Sequence, residues 1–584
     1  MNWGLVERYK KILYAEKPLL RIYNFGEKEV SFALIYPNTY NLAMSNLGFM
    51  SIYYQINIRR DTLCHRGFLP FKGDEKAFYK TNTPLFSLES QVPLKDYDII
   101  GFSVSFELDY INILKILEIS HIPLEKEKRD ERFPLIIAGG PCATFNPEPL
   151  TPYIDIFVIG EGEEVIHEVI ERYKSLRSYG KQAVLQGMSS IPGVYVPSMY
   201  GVEYHDDGRI KNIQPKGNAP AKVKKRWIKD LSGIQTSSVI ISPLSEFKDM
   251  YLIEISRGCW RNCRYCMAGY CYKIPRIREL RDIINNAKKA KDLGLRVGLV
   301  GAAVSDYPYI DELIRELIKQ GIKFSVSSLR ADSVTPSLVR GLAFSGHKTI
   351  TIAPEAASER LRKVINKGIG EEDIFRAVYL AATNNIPNIK LYFIIGLPTE
   401  DLEDINQIII LTKRIIDYLN SINAVYETII LSINPFIPKP FTPFQWFGMD
   451  RQDSLNYKMN IIKEGLTRYK KVKLIMESPK WSIIQGLLSR GDRKLGRVLL
   501  KVHQYGGNLS AWRKALRELE VDFDFYLYRK RDFTEILPWS HINLGIDENH
   551  LKREAIKAIK EHGTLPCSLE KCSKCNICSF KGGV

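Results

Sequence analysis

The sequence predicts an α/β protein with three parts: a Rossmann-like N-terminal domain, an open (βα)6 partial barrel, and a mostly helical C-terminal region with a cysteine cluster. Three observations predict this. Short apolar runs alternate with helical stretches through the first 215 residues. A strand–helix rhythm then recurs six times between 245 and 450. Beyond 450 the apolar periodicity becomes helical, and four cysteines crowd the last stretch.

Taken in order, region 1–215 offers strands at "SFALIYP" (31–37), "YDIIGFSVS" (97–105), "FPLIIAGG" (133–140) and "DIFVIGEGE" (155–163). Near-continuous apolar runs are expected of a parallel sheet covered on both faces. Such sheets bind ligands beyond their strands' C-terminal ends, where "SVS", "GGP" and "GEGE" fall, although these glycines also suit plain tight turns. Residues 216–244, with "QPKGNAPAKVKK" at their edge, are rich in Pro, Gly and Lys, lack apolar periodicity, and read as a linker. Region 245–450 offers "YLIEI" (251–255), "RVGLV" (296–300), "KFSVS" (323–327), "KTITI" (348–352), "IKLYFII" (389–395) and "TIILSI" (428–433). Six units are too few to close an eight-stranded barrel, so a three-quarter barrel is expected. Region 451–584 reads as helices at "SLNYKMNIIKEGLTRYK", "LSAWRKALREL" and "ENHLKREAIKAIK".

Composition narrows the classes. A hydrophobic fraction of 45% and a charged fraction of 26% over 584 residues are those of a globular protein. No apolar run reaches a membrane span, and "MNWGLVERYKKILYAEK" lacks a secretion signal's apolar core, so a cytoplasmic location is expected. Eight of the ten cysteines fall in two tight groups, which points to metal chemistry in a reducing compartment. Cys64 and Cys142 stand apart as ordinary buried thiols. The net charge of +17 is compatible either with a polyanionic partner such as RNA or with a solvated basic surface.

The most specific motif is Cys259-x3-Cys263-x2-Cys266, directly after the apolar run at 251–255. Three thiolates can bind three irons of a 4Fe–4S cluster and leave the fourth open to a substrate or cofactor, which makes a catalytic cluster rather than an electron carrier. Zinc would want a fourth ligand, and Cys271 breaks the usual paired spacing. At the other end, Cys567-x4-Cys572-x2-Cys575-x2-Cys578 supplies four thiolates, enough for an auxiliary 4Fe–4S cluster or for zinc.

The cysteine spacing with Tyr265 before the third cysteine resembles the radical S-adenosylmethionine (SAM) superfamily. The ordered blocks "IAGGPCATFNPEPL", "SRGCWRNCRYCMAG", "APEAASERLRKVINK", "IKLYFIIGLPTE", "PKPFTPFQW", "SRGDRK" and "LPWSHINLG" resemble an uncharacterised radical SAM family with a cobalamin-binding-like N-terminal domain. The resemblance implies that a 4Fe–4S cluster on Cys259, Cys263 and Cys266 binds SAM and cleaves it reductively to a 5′-deoxyadenosyl radical. It implies SAM contacts from Tyr265, Glu355, Ser358, Arg360 and the Gly396 strand end. Ser358 also reads as a helix cap and Arg360 as a surface ion-pair partner. The superfamily's glutamate after the second strand is missing from "VGLVGAAVSDYP", where Asp306, Ser305 or backbone carbonyls would take its place.

For cobalamin the resemblance implies a cradle of Ser103, Ser105, Gly139 and Gly140. No Asp-x-His-x-x-Gly motif exists to ligate cobalt from below, and His65, His121, His167 and His205 lack that context. Methylthiotransferases pair a related barrel with three N-terminal cysteines; here there are only Cys64 and Cys142. The expected function is reductive SAM cleavage with methyl transfer to an unknown substrate, driven by a flavodoxin or ferredoxin. The alternatives are a cobalamin-independent radical rearrangement, dehydrogenation or sulfur insertion, and a cluster-bearing factor associated with RNA or the ribosome. "SRGDRK", "LPWSHINLG" and "PKPFTPFQW" are expected to dock domains.

Overall fold

Residues 2–567 and 575 are described by the structure, a computed structural model. Among them no helix is long and apolar enough to cross a membrane. In the N-terminal region Val30–Tyr36 (β1), Thr62–Phe68 (β2), Ile99–Ser103 (β3), Leu135–Gly139 (β4) and Ile156–Val158 (β5) are parallel. Val194–Tyr195 (β6) adds an antiparallel edge, giving the order β2-β1-β3-β4-β5-β6. The chain leaves β1 toward β2 on one side and returns to β3 on the other. That reversal opens a crevice at the C-terminal ends of β1 and β3.

Strand β2 escaped the apolar-run criterion because its sequence is "TLCHRGF", yet every residue of it is buried. Its polar side chains are neutralised internally. His65 bonds the Tyr97 hydroxyl and the Tyr23 carbonyl at 2.6 and 2.8 Å, and Arg66 pairs with Glu16 and Glu89, each at 2.6 Å. A buried charge is tolerated where its donors are satisfied in this way.

The second sheet runs Met250–Glu254 (β7), Arg296–Val300 (β8), Phe324–Val326 (β9), Thr349–Glu355 (β10), Asn388–Ile395 (β11), Thr428–Pro435 (β12) and Val472–Met476 (β13). All are parallel to their neighbours, and a parallel bridge from Leu329 to Ile352 joins the two halves of the arc. The arc thus has seven strands where six were expected, and it continues past residue 450. The extra strand was hidden because it lies at the open edge, alternates half-buried with exposed residues, and is preceded by Lys470 and Lys471 and interrupted by Lys473.

Residues 216–244 are a fixed belt rather than a free linker. Val223–Lys224 pairs with Ile542–Asn543, Ile240–Ile241 pairs with Lys17–Pro18, and Gly160 bridges Arg226. Only glycine suits position 160: its φ is +104°, and a Cβ would lie 2.1 Å from the Arg226 carbonyl oxygen.

The C-terminal helices Pro479–Arg490, Leu495–Gln504, Leu509–Glu518 and Glu548–Ile559 are locked to the rest by the unassigned blocks. Fully buried Arg490 donates to the carbonyls of Tyr526, Gln445 and Phe447. Arg493 pairs with Glu148 of the N-terminal region at 2.8 Å, and the Trp539 indole N–H donates to Gln445 at 2.8 Å. "SRGDRK", "LPWSHINLG" and "PKPFTPFQW" therefore have a docking role.

His541 is buried in this joint, its ring 4.5 Å from that of Tyr195. Burial, with Arg493 nearby and Glu148 opposing, pushes its pKa down from 6.5 to about 4. The unfolded chain therefore binds this proton at higher pH than the folded one. The contribution of this group to stability is constant above pH 7 and is lost as pH falls from 6.5 toward 4, by at most about 3 kcal/mol. Urea denaturation of the wild type should shift to lower midpoints between pH 7 and pH 5, and His541→Leu should shrink that shift. An undiminished shift would assign the pH dependence to other groups.

Candidate active site

The cysteine loop leaves β7 and returns through a small antiparallel ribbon that pairs Ser256–Arg257 with Arg276–Ile277. At its start Gly258 has φ +86°, and a Cβ there would meet the Tyr272 carbonyl oxygen at 2.2 Å, so the loop can close this tightly only with glycine. A turn brings the Cys266 N–H to the Cys263 carbonyl at 3.1 Å. Arg264, fully buried, pins the loop from behind. It reaches Glu554 at 3.0 Å and donates to the carbonyls of Lys363, Val364 and His562.

Cys263 is buried and Cys259 and Cys266 are half-buried. Burial and the adjacent Cys263 and Cys259 sulfurs push the Cys266 thiol up to about 12. Three thiols crowded in this way release protons when metal takes them. Among the described residues no three His, Cys, Asp or Glu side chains are grouped to hold a single metal ion. A cubane makes no such demand, since each thiolate takes its own iron. Cys271 is buried, and Lys225 donates to its carbonyl at 2.7 Å.

Around the thiols stand residues from successive strand ends. Tyr265 is bonded by the Lys367 ammonium at 3.3 Å, and Lys367 pairs with Glu355 at 3.1 Å. Glu355 ends β10 with φ +67°. Arg330, after β9, lies 3.8 Å from the Cys263 sulfur. Arg261, inside the loop, grips Asp306 through two bonds of 2.9 and 3.0 Å and also reaches Asp332 at 3.0 Å. Asp306 is therefore already committed to Arg261, and Ser305 accepts from Ser333 at 2.8 Å.

Ser358 and Arg360, for which the resemblance implied SAM contacts, make contacts within the protein. The Ser358 hydroxyl caps the helix Glu359–Val364 by accepting from the Leu361 N–H at 3.1 Å, and it donates to Asp404. Arg360 pairs with Asp404 and with Glu561, the latter at 3.1 Å. Both thus serve a helix end and its contact with the C-terminal region. The Gly396 N–H is taken by Glu400 at 2.6 Å, while Lys458 holds that carboxylate at 2.7 Å, so the Gly396 turn offers carbonyls rather than this N–H.

Between the two sheets lies a cavity of about 410 Å³. Ser103, Ser105, Gly139 and Gly140 line it from the N-terminal sheet. Arg257, Gly258 and Tyr272 line it from the cysteine loop. No histidine is among the described residues that line it. His65 is held within the N-terminal core, and His167 lies against Gln55 and Arg59. The two sides are tied by charge. Glu161 takes Arg276 through bonds of 2.8 and 2.6 Å and Arg257 at 3.1 Å, while Glu163 and Glu254 take Arg257 at 2.7 and 2.9 Å. Burial alone would raise the Glu161 carboxyl, but Arg257 and Arg276 hold it below the usual range. "GEGE" is thus a clamp on the cysteine loop as well as a turn. Arg257, Arg276, Arg330 and Lys367 went unnoticed in the sequence because an isolated basic residue has no spacing signature.

Of the C-terminal cysteines, Cys572 and Cys578 lie outside the described residues, so the four-thiolate site does as well. Cys575 is buried, and the Cys567 N–H donates to the Trp260 carbonyl at 2.8 Å, beside the first loop cysteine.

Comparison with known proteins fits this arrangement. Residues 48–197 match the model for radical SAM proteins, N-terminal, and residues 253–411 match that for the radical SAM superfamily. The chain is 32% identical over 507 residues to the uncharacterised protein MJ0966 of Methanocaldococcus jannaschii, covering 86% of this chain and 96% of that one. It is 26% identical over 174 residues to the ribosomal protein uS12 methylthiotransferase RimO of Clostridioides difficile, covering 27% of this chain and 39% of that one. The radical SAM methyltransferase TsrM of Kitasatospora setae, solved with cobalamin and a 4Fe–4S cluster, is similar with a TM-score of 0.46 and 14% identity, over 70% of this chain and 75% of that one. The chain belongs to the radical SAM superfamily, and its Cys259, Cys263 and Cys266 lie within the residues, 253–411, that match the superfamily model.

Proposed function

We propose that this radical SAM enzyme transfers a methyl group to an unactivated carbon, using a cobalamin held in the interdomain cavity. The observation that carries the reading is the cavity itself, which joins the carboxyl edge of a doubly wound sheet to the loop of the cluster cysteines. Its lining would suit one face of a broad and mostly neutral group, the rest of which would extend beyond the cavity. Hydroxyls come from Ser103 and Ser105, glycines at 101, 139 and 140 leave room, and no imidazole competes for a cobalt. Cobalamin would supply the methyl-carrying cobalt; the chain would hold the ring, keep water out and fix its distance from SAM.

At the cysteines, Cys259, Cys263 and Cys266 would hold the cluster, Tyr265 would pack against SAM, and Glu355 with Lys367 would orient its ribose and carboxylate. Asp306 would act on the SAM amine only while shared with Arg261, and backbone carbonyls near Gly396 would face the adenine. The reductant would be a low-potential flavodoxin or ferredoxin in a reducing cytoplasm. The net charge of +17 favours a polyanionic substrate such as RNA as the second reading.

Anaerobic purification from cells supplied with cobalamin, followed by cobalt, iron and sulfide assay, tests the cofactor assignment. About one cobalt and about eight irons per chain are expected. Iron without cobalt would turn the reading to cobalamin-independent rearrangement, dehydrogenation or sulfur insertion. Gly139→Leu extends a side chain into the cavity from a position whose Cβ meets nothing closer than 3.8 Å. It should weaken cobalamin binding at least tenfold with iron unchanged, and unaltered cobalt would remove the cavity as the site.

Cys263→Ala should abolish SAM cleavage; an RNA-binding role would survive that substitution. Cys575→Ala should remove about four irons and leave about four, if the C-terminal cysteines hold an auxiliary cluster. Lost zinc with constant iron would make that site structural zinc.

A further inference from the structure

We infer that Arg330 is a positioning residue that raises the reduction potential of the cluster on Cys259, Cys263 and Cys266. Its means is a charge-assisted hydrogen bond to the Cys263 sulfur. The inference rests on the superfamily assignment and is independent of methyl transfer.

Arg330 is 7% exposed, and its Nη1 lies 3.8 Å from the Cys263 Sγ, within reach of a sulfur acceptor. The guanidinium has little freedom. Its Nη2 donates to the Lys367 carbonyl at 2.6 Å, and its Nε and Nη2 donate to Asp332 at 3.1 and 3.2 Å. Asp332 in turn takes Arg261, whose other bonds hold Asp306. The result is an alternating row, Asp306–Arg261–Asp332–Arg330, that ends on a cluster cysteine.

Two carboxylates balance two guanidiniums in that row, so its charge is already neutral before Cys263 ionises. The other basic side chains packed here are engaged elsewhere: Arg264 with Glu554, and Lys367 with Glu355. The Cys263 sulfur therefore faces the free Nη1 edge of Arg330. An N–H directed at a cysteine sulfur in a dry site stabilises the form of the cluster that carries one more electron. Buried charges act at low dielectric, which strengthens the effect. The geometry also fixes direction, because Asp332 and the Lys367 carbonyl hold the fork from its other side.

The test is an EPR-monitored redox titration of the SAM-free reconstituted full-length enzyme, with dithionite as the one-electron reductant and mediator dyes. Iron and sulfide are assayed on the same samples, and SAM binding is measured separately. Arg330→Gln should lower the equilibrium constant for cluster reduction about tenfold, a midpoint about 60 mV more negative. Arg330→Lys should fall between it and wild type, and the Kd for SAM should change less than about threefold. An unchanged midpoint at full iron content would overturn the proposal. So would a tenfold loss of SAM affinity without a change of midpoint, which would make Arg330 a SAM ligand. If Arg330→Gln takes up no cluster, electron spin-echo modulation of wild type labelled with 15N-arginine decides instead. A 15N coupling to the reduced cluster that is missing in Arg330→Lys is expected, and its absence from wild type would overturn the proposal.

Discussion

The site depends on one buried ionic clamp. Glu161 comes from the turn after β5 and Glu163 from the first turn of the helix Gly162–Leu176, whereas Arg257 and Arg276 come from the two legs of the cysteine loop. All four side chains are largely excluded from water, so no partner can relax into solvent if another is removed. Breaking a buried pair by deleting one member costs roughly 3–5 kcal/mol, far more than a surface pair. The clamp does more than hold two domains together. It sets the distance from the glycine floor at 139–140 to the cysteine loop, which is the distance any reaction between the cavity and SAM must span.

That clamp explains why part of the molecule was legible in sequence and part was not. The cysteine triad is legible because three thiolates within eight residues can each take one iron of a single cubane, and the barrel strands announce themselves by apolar runs. Where the fold substitutes charge for apolar surface, the pattern fails. Strand β2 carries His65 and Arg66 inward, and its partners Glu16, Glu89 and Tyr97 come from distant segments. The belt at 216–244 has almost no periodicity, yet Lys225 is buried against the carbonyls of Cys271 and Lys273. Ser358 and Arg360 show the opposite ambiguity. They follow a barrel strand as ligand residues would, but a Ser-Glu step is also a helix start, and Asp404 claims both side chains.

Arg490 shows how a charged residue can fix a joint without an ion pair of its own. Arg490 is fully buried and is met by backbone carbonyls instead of a carboxylate. Burial, and Arg531 beside it, push its pKa well down. Such an arrangement is costly in isolation and survives because the carbonyls of 445, 447 and 526 are brought together only when their segments are correctly docked.

The same joint reaches the chemistry. Helix Glu548–Ile559 supplies Glu554 to Arg264, and the strand of chain after it gives the Leu565 carbonyl to Asn262 at 3.0 Å and the Cys567 N–H to Trp260. Asn366 completes the contact by bonding both the Asn262 and Thr564 carbonyls at 3.1 Å. Three residues of the cysteine loop, Trp260, Asn262 and Arg264, are thus held by the last described segment of the chain. Arg257 and Arg276 hold the loop's base from the N-terminal side. A loop gripped from both ends of the sequence cannot adjust its thiols independently of either. The barrel supplies the strands, but the shape of the cysteine loop is imposed by the domains that flank it.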